Sequence, residues 1–147
     1  WAGEYSGLTA TPLDQNQRNT SVDTAVTSLS TGTTGTTAQA DELAIALMAS
    51  DTWSATELGR AWTNSFAEVS FSTAASSSRP GLSVAEKDLT AVGTVETTFS
   101  TTDTGDQMIC VVVTFKETGG APPADDLATK LLTMDVPSPG MIMISGG

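Results

Sequence analysis

Two stretches of the chain are apolar at almost every position, and both are short: Leu43–Met48 (LAIALM) and Met108–Phe115 (MICVVVTF). The first is built of good helix formers, so helix and strand are both open on propensity. Its length, about seven residues between polar tracts, favours a central strand. The second is rich in β-branched residues and reads as the strongest strand of the chain, central and buried on both faces at its start. Elsewhere the pattern alternates. Trp1, Gly3 and Tyr5 share one face of a period-2 segment that Gly7 and Pro12 end, and Leu13–Thr20 follows as a polar connection. Val22–Leu29, Phe66–Ser72, Val84–Ala91 and Thr94–Ser100 read as further strands, the last two consecutive around Gly93.

Between these lie turn-rich segments. Ser30–Ala40 is a Thr/Gly tract, either a loop or an extended edge segment whose hydroxyls face water. Asp51–Asn64 reads as a long loop with a helical turn at Ala55–Gly59. Arg79-Pro80-Gly81 reads as a turn, and Thr101–Gln107 as a hairpin tip. No fixed internal repeat is apparent. Six to eight short strands at spacings of roughly ten residues predict an all-β fold, a two-sheet antiparallel β-sandwich. Residues 1–116 form the sandwich in this reading, and residues 117–147 form a C-terminal extended arm. Within the arm, Ala124-Asp125-Asp126 caps a short helix at Leu127–Leu132, and Pro137 and Pro139 enforce a strap. Met141, Ile142, Met143 and Ile144 make a short apolar tail that docks on the domain or on a neighbouring subunit.

Composition sharpens the β reading. The chain of 147 residues is 39% hydrophobic and 16% charged, and Thr, Ser, Gly and Ala make up the difference. Thr suits a pleated strand and its hydroxyl tolerates water. Six Lys and Arg against seventeen Asp and Glu leave a net charge of −11. That balance repels phosphate backbones and anionic bilayers, so neither a nucleic acid nor a membrane is an expected partner. No apolar stretch approaches the roughly 20 residues that span a bilayer. The single Cys110 lies in an apolar run and reads as a small buried hydrophobe. The chain begins at Trp1, within what reads as a strand in progress, which is expected of a processed or longer polypeptide.

The series Glu4-Tyr5-Ser6-Gly7-Leu8, Pro12-Leu13-Asp14, the Thr/Gly tract into Gln39-Ala40-Asp41-Glu42-Leu43, and Val112-Val113-Thr114-Phe115-Lys116 resembles a jelly-roll-like β-sandwich domain of bacteriophage structural proteins and secreted bacterial proteins. The likeness spans residues 2–116. Members of that family usually carry further strands before the Glu4–Leu8 element. The resemblance therefore implies a smaller version of the fold, or one completed by a separate chain or a removed fragment. It implies no catalytic residues.

The residues themselves point the same way. With no His in the chain, Ser-His-Asp and Cys-His catalysis and the commonest transition-metal ligand are absent. Carboxylate pairs such as Glu86 with Asp88, or Glu68 with Glu96, have only strand alternation behind them. Asp103 and Asp106 in the Thr101–Gln107 turn offer oxygens to calcium, but such a turn is more often a solvated hairpin tip. No cofactor is expected. Trp53 and Trp62 stand among polar neighbours, as aromatic residues that stack on sugars or anchor interfaces do, or else they cap the core. Trp1 carries the same ambiguity. The expectation is a non-enzymatic structural subunit of a virion or similar extracellular assembly, with sheet edges and the C-terminal arm contacting other copies of the chain. Its alternatives are a glycan-binding or adhesive module and a filament subunit.

Overall fold

The computed structural model describes residues 2–21, 24–53, 59–73, 79–102 and 107–119. Eight strands follow in chain order: β1 (Leu8–Thr20), β2 (Ser28–Ser30), β3 (Asp41–Trp53), β4 (Ala61–Trp62), β5 (Ala67–Thr73), β6 (Arg79–Thr90), β7 (Thr98–Ser100) and β8 (Met108–Glu117). They form two antiparallel sheets, a large one in the order β1-β8-β3-β6-β5 and a small one in the order β2-β7-β4. The fold is a two-sheet antiparallel β-sandwich. Strand 1 pairs with 8, 2 with 7 and 3 with 6, as in one long hairpin folded over on itself, the pairing of a jelly roll.

The two apolar runs occupy the middle. β3 lies between β8 and β6, and β8 lies between β1 and β3. Ala44, Ala46 and Met48 of β3 and Met108, Cys110 and Val112 of β8 face the small sheet, where Phe66, Ala85, Val95 and Phe99 complete the inner core. The opposite face of the large sheet carries a second cluster of Leu43, Ile45 and Val84, flanked by Tyr5, Leu47, Leu82 and Phe115. β8 is buried on one face only at its start, since Ile109 is 37% exposed. Among the described residues there is no helix.

Several boundaries differ from the pattern reading, each for a physical reason. Leu8–Thr20 is a strand, whereas residues 2–6 join no ladder. β1 looks like a loop in sequence because it is an edge strand, bent by two register shifts, with its outer side chains in water. Of the described residues in Val22–Leu29, Ser28 and Leu29 join a ladder and Val26 makes an isolated bridge. Arg79-Pro80-Gly81 is not a turn: it opens β6, next to β3. Asp51–Trp53 continues β3, and Ala61–Trp62 is itself a strand. The Thr94–Ser100 strand shrinks to Thr98–Ser100, and it sits in the opposite sheet from β6 rather than beside it. Asn64 and Ser65, both left-handed (φ 55° and 64°), make the tight turn from β4 to β5, closed by Phe66 N–H donating to Thr63 O at 3.2 Å. This is the mirror-image turn that hairpins prefer, with Ser where Gly is usual. Residues 55–58 of the expected helical turn, residues 103–106 of the expected hairpin tip and the arm from residue 120 onward lie outside the described residues.

The Thr/Gly tract is the main departure. Its hydroxyls at Thr31, Thr34 and Thr37 do not face water: these residues are buried. Thr31 N–H donates to Thr97 O at 2.8 Å, Thr34 N–H to Val95 O at 3.0 Å and Thr37 N–H to Gly93 O at 2.9 Å. In return the amides of Thr97, Val95 and Gly93 donate to the hydroxyls of the same three threonines, at 3.2, 2.9 and 3.2 Å. Each hydroxyl stands where a strand would offer its carbonyl. The tract therefore advances three residues for every two of its partner, a period of three not read in the sequence, and extends the β2–β7 ladder without being a regular strand. Gly32 (φ 77°) and Gly35 bulge between the rungs towards β1. A Cβ on Gly32 would meet Gln17 at 3.0 Å, and one on Gly35 would meet Gln15 at 2.7 Å.

Replacing Thr34 by Val keeps the shape and strands the buried Val95 amide. Urea denaturation should show a loss of about 1–3 kcal/mol, against little change for Thr36→Val at an exposed position. Ser65→Gly relieves the left-handed strain at the β4–β5 turn and should raise stability by about 1 kcal/mol in the same assay.

Candidate functional site

The outer face of the large sheet is the feature that internal packing leaves least explained. Antiparallel sheets with one wet face alternate apolar and polar residues, but β3 and β8 are apolar on both. Register places the outward residues in four rows across β1, β8, β3 and β6. These are Leu13–Phe115–Leu43–Asp88, Asn16–Val113–Ile45–Glu86, Arg18–Val111–Leu47–Val84 and Thr20–Ile109–Ala49–Leu82. The centre of every row is apolar. Its flanks carry Asn16, Arg18 and Thr20 on one side and Glu86 and Asp88 on the other. Leu43, Ile45 and Val84 are buried, and Tyr5 packs on that cluster while its hydroxyl donates to Glu86. Burial, followed by the bond to Glu86 and that residue's charge, pushes the Tyr5 phenol up to about 12. Thr118 N–H donates to Gly7 O at 2.7 Å, so residues 2–7 are tied down where β8 ends. Further along the face, Ile109 is 37% exposed, and on the edge strands Leu13 is 56% and Val69 48% exposed.

Trp62 is half-buried between the sheets, 5.2 Å edge-on to Phe99, and its indole N–H donates to Ser83 Oγ at 2.9 Å. Ser83 donates onward to Glu68 at 2.9 Å, and Arg60 grips Glu68 at 3.1 Å while stacking 3.6 Å from the centre of the Phe71 ring. Ring face and N–H are both spent on joining the two sheets. Trp53 contributes backbone to the end of β3 opposite Arg79, and its side chain lies outside the described residues. So do Trp1, Met141, Ile142, Met143 and Ile144.

A polar cleft of about 400 Å³ opens beside the β4–β5 turn, lined by Thr33, Asn64, Ser65, Lys87, Leu89, Thr94, Val95 and Glu96. Its charged groups are already committed. Lys87 Nζ donates to Asn64 O at 2.9 Å, and Glu96 accepts from Thr33 at 2.6 Å and Ser30 at 2.7 Å. Those two hydroxyls hold the Glu96 carboxyl below the ordinary range. The cleft is a seam between segments rather than a set of free groups awaiting a ligand.

Each carboxylate that makes a hydrogen bond makes it to a different part of the fold. Glu68 faces Arg60 and Ser83, Glu96 the Thr tract, and Glu86 the Tyr5 hydroxyl. Asp88, exposed, follows Glu86 on the same face of β6. Among the described residues no three Asp, Glu, Cys or His side chains come together as metal ligands. Asp103 and Asp106 lie outside the described residues. Cys110 is a free, buried thiol pushed up to about 12 by its burial, far from the thiolate that reactivity needs.

Ser83→Ala should remove the relay between Trp62 and Glu68, leaving the indole N–H without its partner while Glu68 keeps Arg60. A loss of about 1–3 kcal/mol is expected in chemical denaturation, with a shifted Trp emission maximum in the folded state. Comparison with protein-family models, with curated proteins and with solved structures found no match for this chain.

Proposed function

We propose that the chain is a non-enzymatic structural subunit of a virion or similar extracellular assembly, and that it packs against other copies of itself. The observation that carries this reading is the outer face of the large sheet: an apolar centre along β8 and β3 with a polar rim, the anatomy of a protein interface. Ile109, Val111, Val113 and Leu47 lie where a monomer in water would place polar side chains. The chain's likeness to jelly-roll-like domains of phage structural proteins supports the same reading, as does its acidic, Thr-rich surface.

The neighbouring copy covers this face in the proposal, and the tail Met141–Ile144 is the segment best suited to add to the contact. The sheet edges contribute less. β1 and β5 both carry register shifts that blunt them against strand addition. The glycan-binding alternative loses one of its aromatic candidates, because Trp62 faces the core.

The oligomeric mass in solution, measured by light scattering after size exclusion, tests the proposal. Ile109→Lys puts a charge at a position that is already partly exposed, so folding should survive and self-association should be lost. A native monomer, or an unchanged mass in this variant, would sink the idea. Because each copy carries a net charge of −11, association should strengthen between low salt and about 0.15 M, where the screening length falls to about 8 Å.

A further inference from the structure

Among the described residues, Glu42 is the only charged side chain in the core. It points inward from the first turn of β3, at register positions opposite Lys116 of β8 and Leu89 of β6. Neither carboxylate oxygen meets a donor in hydrogen-bonding geometry. The polar groups beside it are the Thr114 hydroxyl of β8, the Asp14 carboxyl of β1 and the backbone amide of Gln39. Lys116 is half-buried and forms no ion pair with it. β6 faces it with Leu89, and the nearest cation on that strand, Lys87, is held by Asn64 O at 2.9 Å. The Thr tract, residues 31–40, brings no charge at all.

Asp14 also acts in a second place. Its Oδ2 accepts the Ala38 N–H at 2.7 Å, which pins the end of the Thr tract to β1. Next to it, Gln39 Nε2 donates to the carbonyls of Asp41 at 2.6 Å and Glu117 at 2.9 Å. The two carboxyl groups therefore meet at the corner where β1, the tract, β3 and β8 come together. Two ionised carboxylates there would repel each other, and the buried Glu42 would also lose its hydration; a proton on Glu42 removes the repulsion and the cost of burying that charge.

We infer that Asp14 and Glu42 form a proton-operated latch: a proton held on Glu42 closes the corner that seats Ala38 and Gln39, and its loss opens it. Burial first, and then the Asp14 charge, raise the Glu42 carboxyl above its ordinary 4.5, while the Thr114 hydroxyl and the Gln39 amide pull the other way. The native state thus keeps a proton that the unfolded chain releases near 4.5. The stabilisation is complete below that pH and is lost as pH rises through the folded value. Glu96 has the opposite sign: its contribution is present above the ordinary range and lost as pH falls through its lowered value.

Carboxyl ¹³C NMR titration of the intact chain, with amide hydrogen exchange at Ala38, tests the latch without any variant. Glu42 should titrate above the ordinary carboxylate range. Protection at Ala38, corrected for intrinsic exchange, should fall in the same window, by up to about tenfold for each unit by which the titration is displaced. In Glu42→Gln the protection should stay level across that window, and in Asp14→Asn the Glu42 titration should move back towards the ordinary range. A Glu42 that titrates near its ordinary value, or Ala38 protection indifferent to Glu42's ionisation, overturns the latch even if Glu42→Gln fails to fold.

Discussion

One exchange of partners recurs through this molecule and lets its irregular segments be buried: a side-chain hydroxyl takes the place of a strand carbonyl. In the tract, Thr31, Thr34 and Thr37 do so against residues 97, 95 and 93. Thr63 does the same with Thr98, giving its N–H to Thr98 O at 3.1 Å and taking the Thr98 N–H on its hydroxyl at 2.8 Å. Ser21 and Met108 repeat it at 2.9 and 2.8 Å. A residue paired in this way satisfies both backbone groups of its partner while its own carbonyl is free to turn away. Buried backbone groups must be paired, and a regular strand meets that demand only by staying straight. With hydroxyls in the ladder, the chain can bulge after every rung and still bond both backbone groups of Gly93, Val95 and Thr97.

This explains how a small sheet of three short strands closes a sandwich over a large sheet of five. β2, β7 and β4 have three, three and two residues, too few to cover long strands such as β3 and β6. The Thr tract lengthens that layer, and the relay from Trp62 through Ser83 and Glu68 to Arg60 ties its far side to β5 and β6. The polar interior follows from the same design. Thr31, Thr34, Thr37, Thr97 and Thr114 are all buried, and they carry hydrogen bonds where another sandwich would use aliphatic packing. Glu42 is the exception, a buried carboxyl group whose two oxygens meet no donor in hydrogen-bonding geometry.

The large sheet has the opposite character. β3 and β8 are apolar on both sides, so burying one side against the small sheet leaves hydrophobic surface on the other. Tyr5 and residues 2–7 cover one end of it. The remainder, around Ile109, Val111 and Leu47, is where the proposed contact with another copy lies. In a chain this acidic, long-range repulsion opposes that contact and short-range burial favours it, and salt sets the balance between them.

Fold class and the two central strands were legible from local pattern alone. Continuous apolar runs of strand length have to lie in the middle of a sheet, and β-branched polar residues belong around them. Sequence also excluded histidine chemistry and predicted an inert Cys110, whose burial the structure confirms. What local pattern could not supply is anything that depends on partners remote along the chain. β1 read as a loop because an edge strand owes its form to β8, about a hundred residues away (Gln15 N–H donates to Thr114 Oγ1, |i−j| of 99). The Thr tract read as solvated because a hydroxyl's fate depends on which backbone amide arrives opposite it. Whether Trp62 binds or caps the core stayed open because its neighbours in sequence are polar; its neighbours in space, Phe99 and Ser83, decide it. The meeting of Asp14 with Glu42 and the four-row apolar face are products of register between strands. Periodicity determines which side of a strand is apolar; only tertiary pairing decides what that side meets.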